Sequence, residues 1–193
     1  MQRSLALLIV AVVLVGCTMP KTMIYSITTP PESALAGTES RVSLALRVDS
    51  ARYLGQPYIA SRTSPYELEL SRYAKWEAPP REIVTEALRS SLVSTGLFGE
   101  VRVTSLVPAE FYSLRVDVKR FEALGEGGIS FGEVLLQADL SSPQGRELFR
   151  RTIAKRVKLE GTGFSNLARG LSSALGEGLE ELMALVVETL GKQ

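Results

Sequence analysis

The chain has 193 residues, 45% of them apolar and 22% charged, with 22 Lys and Arg set against 21 Asp and Glu for a formal net charge of +1. That is enough apolar sequence for the core of one domain, and the charges are spread without long like-sign runs, which excludes a largely disordered chain. Near-neutrality supplies no basic field of the kind nucleic-acid binding needs, so nucleic acid is set aside as a partner.

In chain order, the first feature is an export signal. Arg3 gives a positive start, and Leu5 to Val15 form an unbroken apolar run of eleven residues ending at Gly16. The run is too short to span a bilayer, which takes about 20 apolar residues. Its last segment, Leu14-Val15-Gly16-Cys17, resembles the bacterial lipobox, in which a small residue precedes a cysteine thioether-linked to diacylglycerol. The resemblance implies cleavage between Gly16 and Cys17, giving a signal over 1–16, a lipidated Cys17 with a short tether over 17–22, and one periplasmic domain over 23–193. The alternative is an incidental thiol in a signal cut elsewhere. Acylation accounts for the position of Cys17 and for its being the only cysteine in a chain bound for an oxidising compartment. Removing 1–16 takes away only Arg3 among the charges, so the mature domain is formally neutral. Thr18, rather than Asp, follows the cysteine; by resemblance to enterobacterial sorting this implies the outer membrane, periplasmic face, of a Gram-negative host. Fully extended, Thr18 to Met23 reaches only ~20 Å, which keeps the domain near its leaflet.

The mature chain then reads as strands and two helices. Met23 to Ile27 is a short strand, and Thr28 to Ser40, with Pro30-Pro31 and Gly37, is a loop. Arg41 to Asp49 alternates with period two. Tyr58 to Arg62 and Tyr66 to Arg72 are extended runs around Thr63-Ser64-Pro65. Pro79-Pro80 opens a helix that carries Ile83, Val84, Ala87, Leu88 and Leu92 and is ended by Gly96. Val101 and Val103 mark another strand. Phe111 to Phe121 is the next, with Tyr112, Leu114, Val116 and Val118 on one face. Ile129 to Leu140 and Arg146 to Leu159 form a hairpin. An amphipathic helix from about Ser165 to Leu190 closes the chain; its glycines 170, 176 and 178 require tertiary packing and suit close approach to a sheet. The pattern predicts an α+β two-layer sandwich, a mixed and mostly antiparallel sheet with two main helices on one face.

Chemistry is sparse. The absence of histidine removes His-based nucleophile schemes, and with Cys17 lipidated it removes the commonest zinc sites, so no catalytic residue, metal or cofactor is assigned. Gly125-Glu126-Gly127-Gly128 lies between strands and lacks the GK[ST] ending of a phosphate loop, so it reads as a turn. Glu67 with Glu69, and Glu180 with Glu181, read as solvated carboxylates. Trp76, the sole tryptophan, reads either as a hydrophobic plug or as an exposed aromatic anchor for a partner.

The lipobox, Tyr25-Ser26-Ile27, Tyr53-Leu54-Gly55-Gln56-Pro57-Tyr58-Ile59, Arg62 and Ser71-Arg72-Tyr73-Ala74-Lys75-Trp76-Glu77-Ala78-Pro79 together resemble the ABC-type transport auxiliary lipoproteins, the paraquat-inducible protein C group. Lys75 stands where that family usually has histidine or arginine. The resemblance implies a non-enzymatic outer-membrane lipoprotein working with an inner-membrane ABC transporter and a mammalian-cell-entry (MCE) type protein to move lipids or other apolar molecules. The partner would dock at an edge or groove near Tyr58, Tyr66, Tyr73 and Trp76, by strand or helix addition. Two other functions fit the sequence: a scaffold or activator of peptidoglycan synthesis or lipopolysaccharide assembly, and an envelope hydrolase.

Overall fold

The structure is a computed structural model and describes residues 21–29 and 42–192. The lipobox, Cys17 and most of the loop expected over Thr28 to Ser40 lie outside the described residues. The elements are β1 (Met23–Tyr25), β2 (Val42–Ser50), one 3-10 turn (Arg52–Gly55), β3 (Tyr58–Ser64), β4 (Glu67–Trp76), α1 (Pro80–Ser94), β5 (Phe98–Val103), β6 (Tyr112–Glu126), β7 (Ile129–Ser141), β8 (Glu147–Lys158) and α2 (Phe164–Leu190). Eight strands make one mixed sheet, and the two helices pack on it, as the periodicity predicts.

Strand β6 is the spine of this sheet. One edge pairs antiparallel with β7 from Ser113↔Ser141 to Glu126↔Ile129. The other edge is divided between two strands that both run parallel to β6: β2, from Leu44↔Tyr112 to Ser50↔Val118, and β3, at Ser61↔Ala123 and Arg62↔Leu124. The 3-10 turn is the step between them, entered where the Ala51 N–H donates to the Val118 carbonyl at 3.1 Å. The register of β6 with β7 shifts between Val118 and Arg120, at the same level. The sheet therefore forks, β2 leading to β5 and β3 leading to β4 and then β1.

The antiparallel ladders β3–β4, β6–β7 and β7–β8 hold most of the paired residues. Four pairings are parallel, a feature that period-two alternation cannot reveal because both pairing senses share it.

Local chemistry explains the boundaries. Pro80 occupies the first turn of α1, where a missing N–H costs nothing, and Gly96 takes φ +68° just past its end. Gly127 and Gly128 both have positive φ, which a two-residue hairpin turn matched to strand twist demands. The core joins Leu44, Leu46, Leu114, Val116, Val118, Leu136 and Leu140 of the sheet to Leu88 and Leu92 of α1 and Leu171, Leu175, Leu179 and Leu182 of α2.

Helix α2 lies closest to the sheet at two glycines. A Cβ on Gly132 of β7 would stand 3.1 Å from the Gly170 carbonyl carbon and from the Leu171 nitrogen. Both are backbone atoms and cannot swing aside. Gly132→Ala should therefore destabilise by about 1–3 kcal/mol, a fall of roughly 2–4 °C in Tm per kcal/mol for a domain of this size. Gly55→Ala, with nothing within 4 Å, should leave the melt close to wild type. Equal melts for wild type and Gly132→Ala would show that the helix does not sit this close.

Candidate docking surface

The β3–β4 hairpin is the least supported part of the sheet. β3 meets β6 over two residue pairs, and β4 meets β1 only at Ala74, Lys75 and Trp76. From Glu67 to Tyr73 the outer edge of β4 has no strand partner among the described residues, so its N–H and C=O groups are open to an added strand. Tyr73 on this edge is half exposed, and Tyr58 is partly buried with the Lys75 Nζ 5.6 Å from its ring centroid. Tyr66 sits at the hairpin turn, 98% exposed. Tyr73 lies toward the other end of β4, past a bulge between Leu70 and Lys75, and the six residue steps of β3 from Ser64 to Tyr58, roughly 20 Å, cover the distance from the turn to the level of Lys75. The sequence groups four aromatics, and the structure separates them.

Trp76 needs correction as a binding residue. It is 2% exposed, so it serves as the plug and not as an exposed anchor. It ends β4 opposite Tyr25, and its ring meets Phe121 of β6 edge-on, with centroids 5.9 Å apart and planes at 79°. This fixes the hairpin root to the spine. Its Nε1 has no hydrogen-bond partner among the described residues.

A second tie is electrostatic and was missed by the sequence reading. Glu122 of β6 and Glu133 of β7 pair directly across the ladder, and both are buried. Two adjacent desolvated carboxylates are costly unless each is neutralised and hydrogen-bonded. Tyr53 Oη donates to Glu122 Oε2 at 2.6 Å and Arg62 Nε donates to Oε1 at 2.6 Å; Arg120 Nη1 and Arg156 Nε donate to Glu133 at 2.9 and 2.7 Å. Burial, then the bond to Glu122, pushes the Tyr53 phenol well above its ordinary range, while the bond to Glu122 raises Arg62. Tyr53 comes from the 3-10 turn and Arg62 from β3, so the clamp holds the hairpin where the ladder is shortest. The available signal was parity: Val118 and Phe121 are both apolar and an odd number of residues apart, and both join the core because the ladder shifts register between Val118 and Arg120.

Other carboxylates read as solvated are so. Glu67 and Glu69 are exposed on β4, and Glu180 and Glu181 are exposed on α2, with Glu181 2.8 Å from Lys155 Nζ. Gly125 to Gly128 form the β6–β7 turn. Among the described residues no group of three or more His, Cys, Asp or Glu could hold a metal, and no helix is long and apolar enough to cross a membrane. Two clefts flank residues 25–29. One, about 480 Å³, is lined by Ile27, Thr29, Glu77, Glu82, Ile83 and Glu86 among others, and three carboxylates at its rim do not suit an anionic headgroup. The other, about 370 Å³, includes Tyr25, Ser165, Arg169 and Ser172.

The chain folds as an α+β domain, and that fold is shared with other solved chains. The domain resembles protein XCC0632 from Xanthomonas campestris, with a TM-score of 0.77 and 24% identity over 88% of this chain and 98% of that one. It also resembles a solved uncharacterised protein (TM-score 0.68, 16% identity, 86% and 99% covered) and the hypothetical protein CT253 from Chlamydia trachomatis (0.54, 8%, 80% and 100%). These likenesses show the fold. Comparison with the curated proteins returns no match. The family model of the ABC-type transport auxiliary lipoprotein component matches residues 25–182, and the chain belongs to that family.

Two outcomes follow from the ties. Trp76→Ala should destabilise by about 3–5 kcal/mol, read as a lower denaturant midpoint, whereas an unchanged midpoint would return Trp76 to the surface. Tyr53→Phe should lose about 1.5–3 kcal/mol at pH 7, a hydrogen bond to a charged group. Because the phenol's folded pKa is raised, the folded chain keeps a proton that the unfolded chain releases above about pH 10. Its contribution is full below that pH and is lost as pH rises through the folded value. Denaturant titrations of wild type from pH 8 to 11 should show this alkaline loss, reduced in Tyr53→Phe.

Proposed function

We propose that this lipoprotein is held to the envelope by acyl chains on Cys17, at the periplasmic face of the outer membrane, and acts as the auxiliary component of an MCE-type ABC transport system for lipids or other apolar molecules. The observation that carries the reading is the family match over 25–182. Its role is to dock a partner and not to catalyse. The absent histidine favours that.

The docking element proposed is the open edge of β4 from Glu67 to Tyr73, with Tyr58 and Tyr73 beside it. Main-chain hydrogen bonds to that edge would supply affinity and the tyrosines would supply side-chain contacts. Anchoring needs more than one acyl chain, since a single chain holds only marginally.

A photo-crosslinking residue at Tyr73 tests the reading in cells that carry the chain's own transport system. The expected product is an adduct with the MCE-domain protein, absent when the same probe is placed at Val93, which is exposed on α1. In the same cells Cys17→Ala should take up no labelled palmitate. Adducts at both positions or at neither, or palmitate on the Cys17→Ala chain, would contradict docking or acylation respectively.

A further inference from the structure

Three turns lie side by side at one end of the sheet. The β3–β4 turn follows the Ser64↔Glu67 pair, and the β6–β7 turn follows Glu126↔Ile129. Adjacent hairpins bring them together: an added Cβ on Gly125 would be 3.8 Å from the Arg62 carbonyl oxygen and 3.9 Å from Thr63 Cα. The third is the β8–α2 connection, held at the same end because Phe131 pairs with Lys158 and the Leu159 N–H donates to the Ser130 carbonyl at 2.9 Å. Two of the turns expose a large apolar or aromatic side chain, Tyr66 at 98% and Ile129 at 41%, while Phe164, at the start of α2, packs its ring on Tyr25 with centroids 5.7 Å apart.

The chain enters the domain from this end. β1 runs parallel to β4, so the residues before Met23 arrive from the side of the β3–β4 turn, and Met23 pairs with Ala74. β4 bulges between Leu70 and Lys75, where five residue steps lie opposite two of β3, so the interval between that level and the turn is the one β3 covers from about Ile59 to Ser64, roughly 17 Å. The tether from Thr18 to Met23 spans ~20 Å at most. An acylated Cys17 can thus reach the level of Tyr66. The opposite end, with the Gly145 turn, lies beyond the start of β6. Tyr112 there is some eight residues, roughly 26 Å, from the level where β3 begins, and a tether that must first reverse direction does not reach it.

We infer that this end of the sheet faces the phospholipid leaflet that holds the anchor, with Tyr66 and Ile129 entering its interface. This rests on the reading that Cys17 is acylated. Tyrosine suits the headgroup level because its ring is apolar and its hydroxyl is wet. Lys21, Lys158 and Arg169 have no ion-pair partner among the described residues and can meet lipid phosphates, while exposed Glu67 and Glu160 offset part of that attraction. Orientation therefore comes from the apolar tips and the short tether more than from charge. The assignment removes Tyr66 from the docking patch and leaves Tyr58 and Tyr73 on the β4 edge for the partner.

The test uses the full acylated protein in vesicles of phosphatidylethanolamine and phosphatidylglycerol that contain headgroup spin-labelled lipid. A fluorophore is attached to a cysteine introduced at Pro65 or Ser130, neighbours of Tyr66 and Ile129, or at Leu106 or Gln144, far from this end. Most of the emission at 65 and 130 should be quenched, with little loss at 106 and 144. Equal quenching at all four positions, or stronger quenching at 106 and 144, would overturn the orientation. Tyr66→Ser with Ile129→Ser should relieve the quenching at 65 without altering the melt; unchanged quenching would overturn the role of these side chains. The mass of the same sample separates the two readings. Acyl mass on Cys17 with equal quenching everywhere removes the orientation alone, while quenching at 65 and 130 without acyl mass removes the anchor and keeps the orientation.

Discussion

Glu122 and Glu133 face each other in the β6–β7 ladder with almost no contact with water, and much of the open sheet face is arranged to meet that constraint. Each carboxylate is matched by donors from a different part of the chain. Tyr53 and Arg62 reach Glu122 from the 3-10 turn and β3, and Arg120 and Arg156 reach Glu133 from β6 and β8. A buried carboxylate with one partner removed is worse than none, so these four side chains hold four strands, β3, β6, β7 and β8, and a turn in one register. What depends on them is the β3–β4 hairpin, whose ladder to β6 is only two residue pairs long. Trp76 against Phe121 fixes its root and the Glu122 clamp fixes its body. These two ties make the inner side of the hairpin rigid while its outer edge stays open, as the proposed strand addition would require.

The same ties give physical content to the segments that carry the family resemblance. In Tyr53-Leu54-Gly55-Gln56-Pro57-Tyr58-Ile59, Tyr53 clamps Glu122, Leu54 and Ile59 are core, and the Pro57 carbonyl accepts the Trp76 N–H at 2.8 Å. In Lys75-Trp76-Glu77-Ala78-Pro79, Trp76 is the plug, the Glu77 N–H donates to the Tyr25 carbonyl, and Pro79 leads into α1. Tyr25, in the first matched strand, receives that bond and lies 5.7 Å from the Phe164 ring. Both segments position the hairpin and β1, so the residues most visible in the sequence are largely structural.

How much could be read in advance follows from the range of each signal. The two helices, the β3–β4 and β6–β7–β8 hairpins and the helix-facing residues of β2 and β6 are set by local period and by Pro and Gly, and they were legible. The parallel placement of β2, β3 and β5 was not, because it depends on contacts between strands far apart in sequence. The burial of Glu122 and Glu133 was hidden for a related reason: a glutamate in an alternating strand reads as solvent-facing, and only the bulge after Val118 and four donors from elsewhere make it otherwise. Trp76 was weighed both ways, since one tryptophan before a helix carries no information about which side of the sheet it takes. Cys17 lies outside the described residues, and its acylation stays the proposal that the lipobox resemblance implies.

The domain thus divides its surfaces. The helix layer closes the core, the free edge of β4 is the surface we propose for a partner, and the end with the three turns lies within the tether's reach. The claim at the centre of this arrangement is that the partner belongs to a transport system. Affinity capture of the acylated protein from its own envelope, with the bound proteins identified by mass, tests it most directly. The account predicts recovery of an MCE-domain protein together with its ABC permease. Recovery of a peptidoglycan synthase or a lipopolysaccharide-assembly component, with no MCE-domain protein, would contradict it.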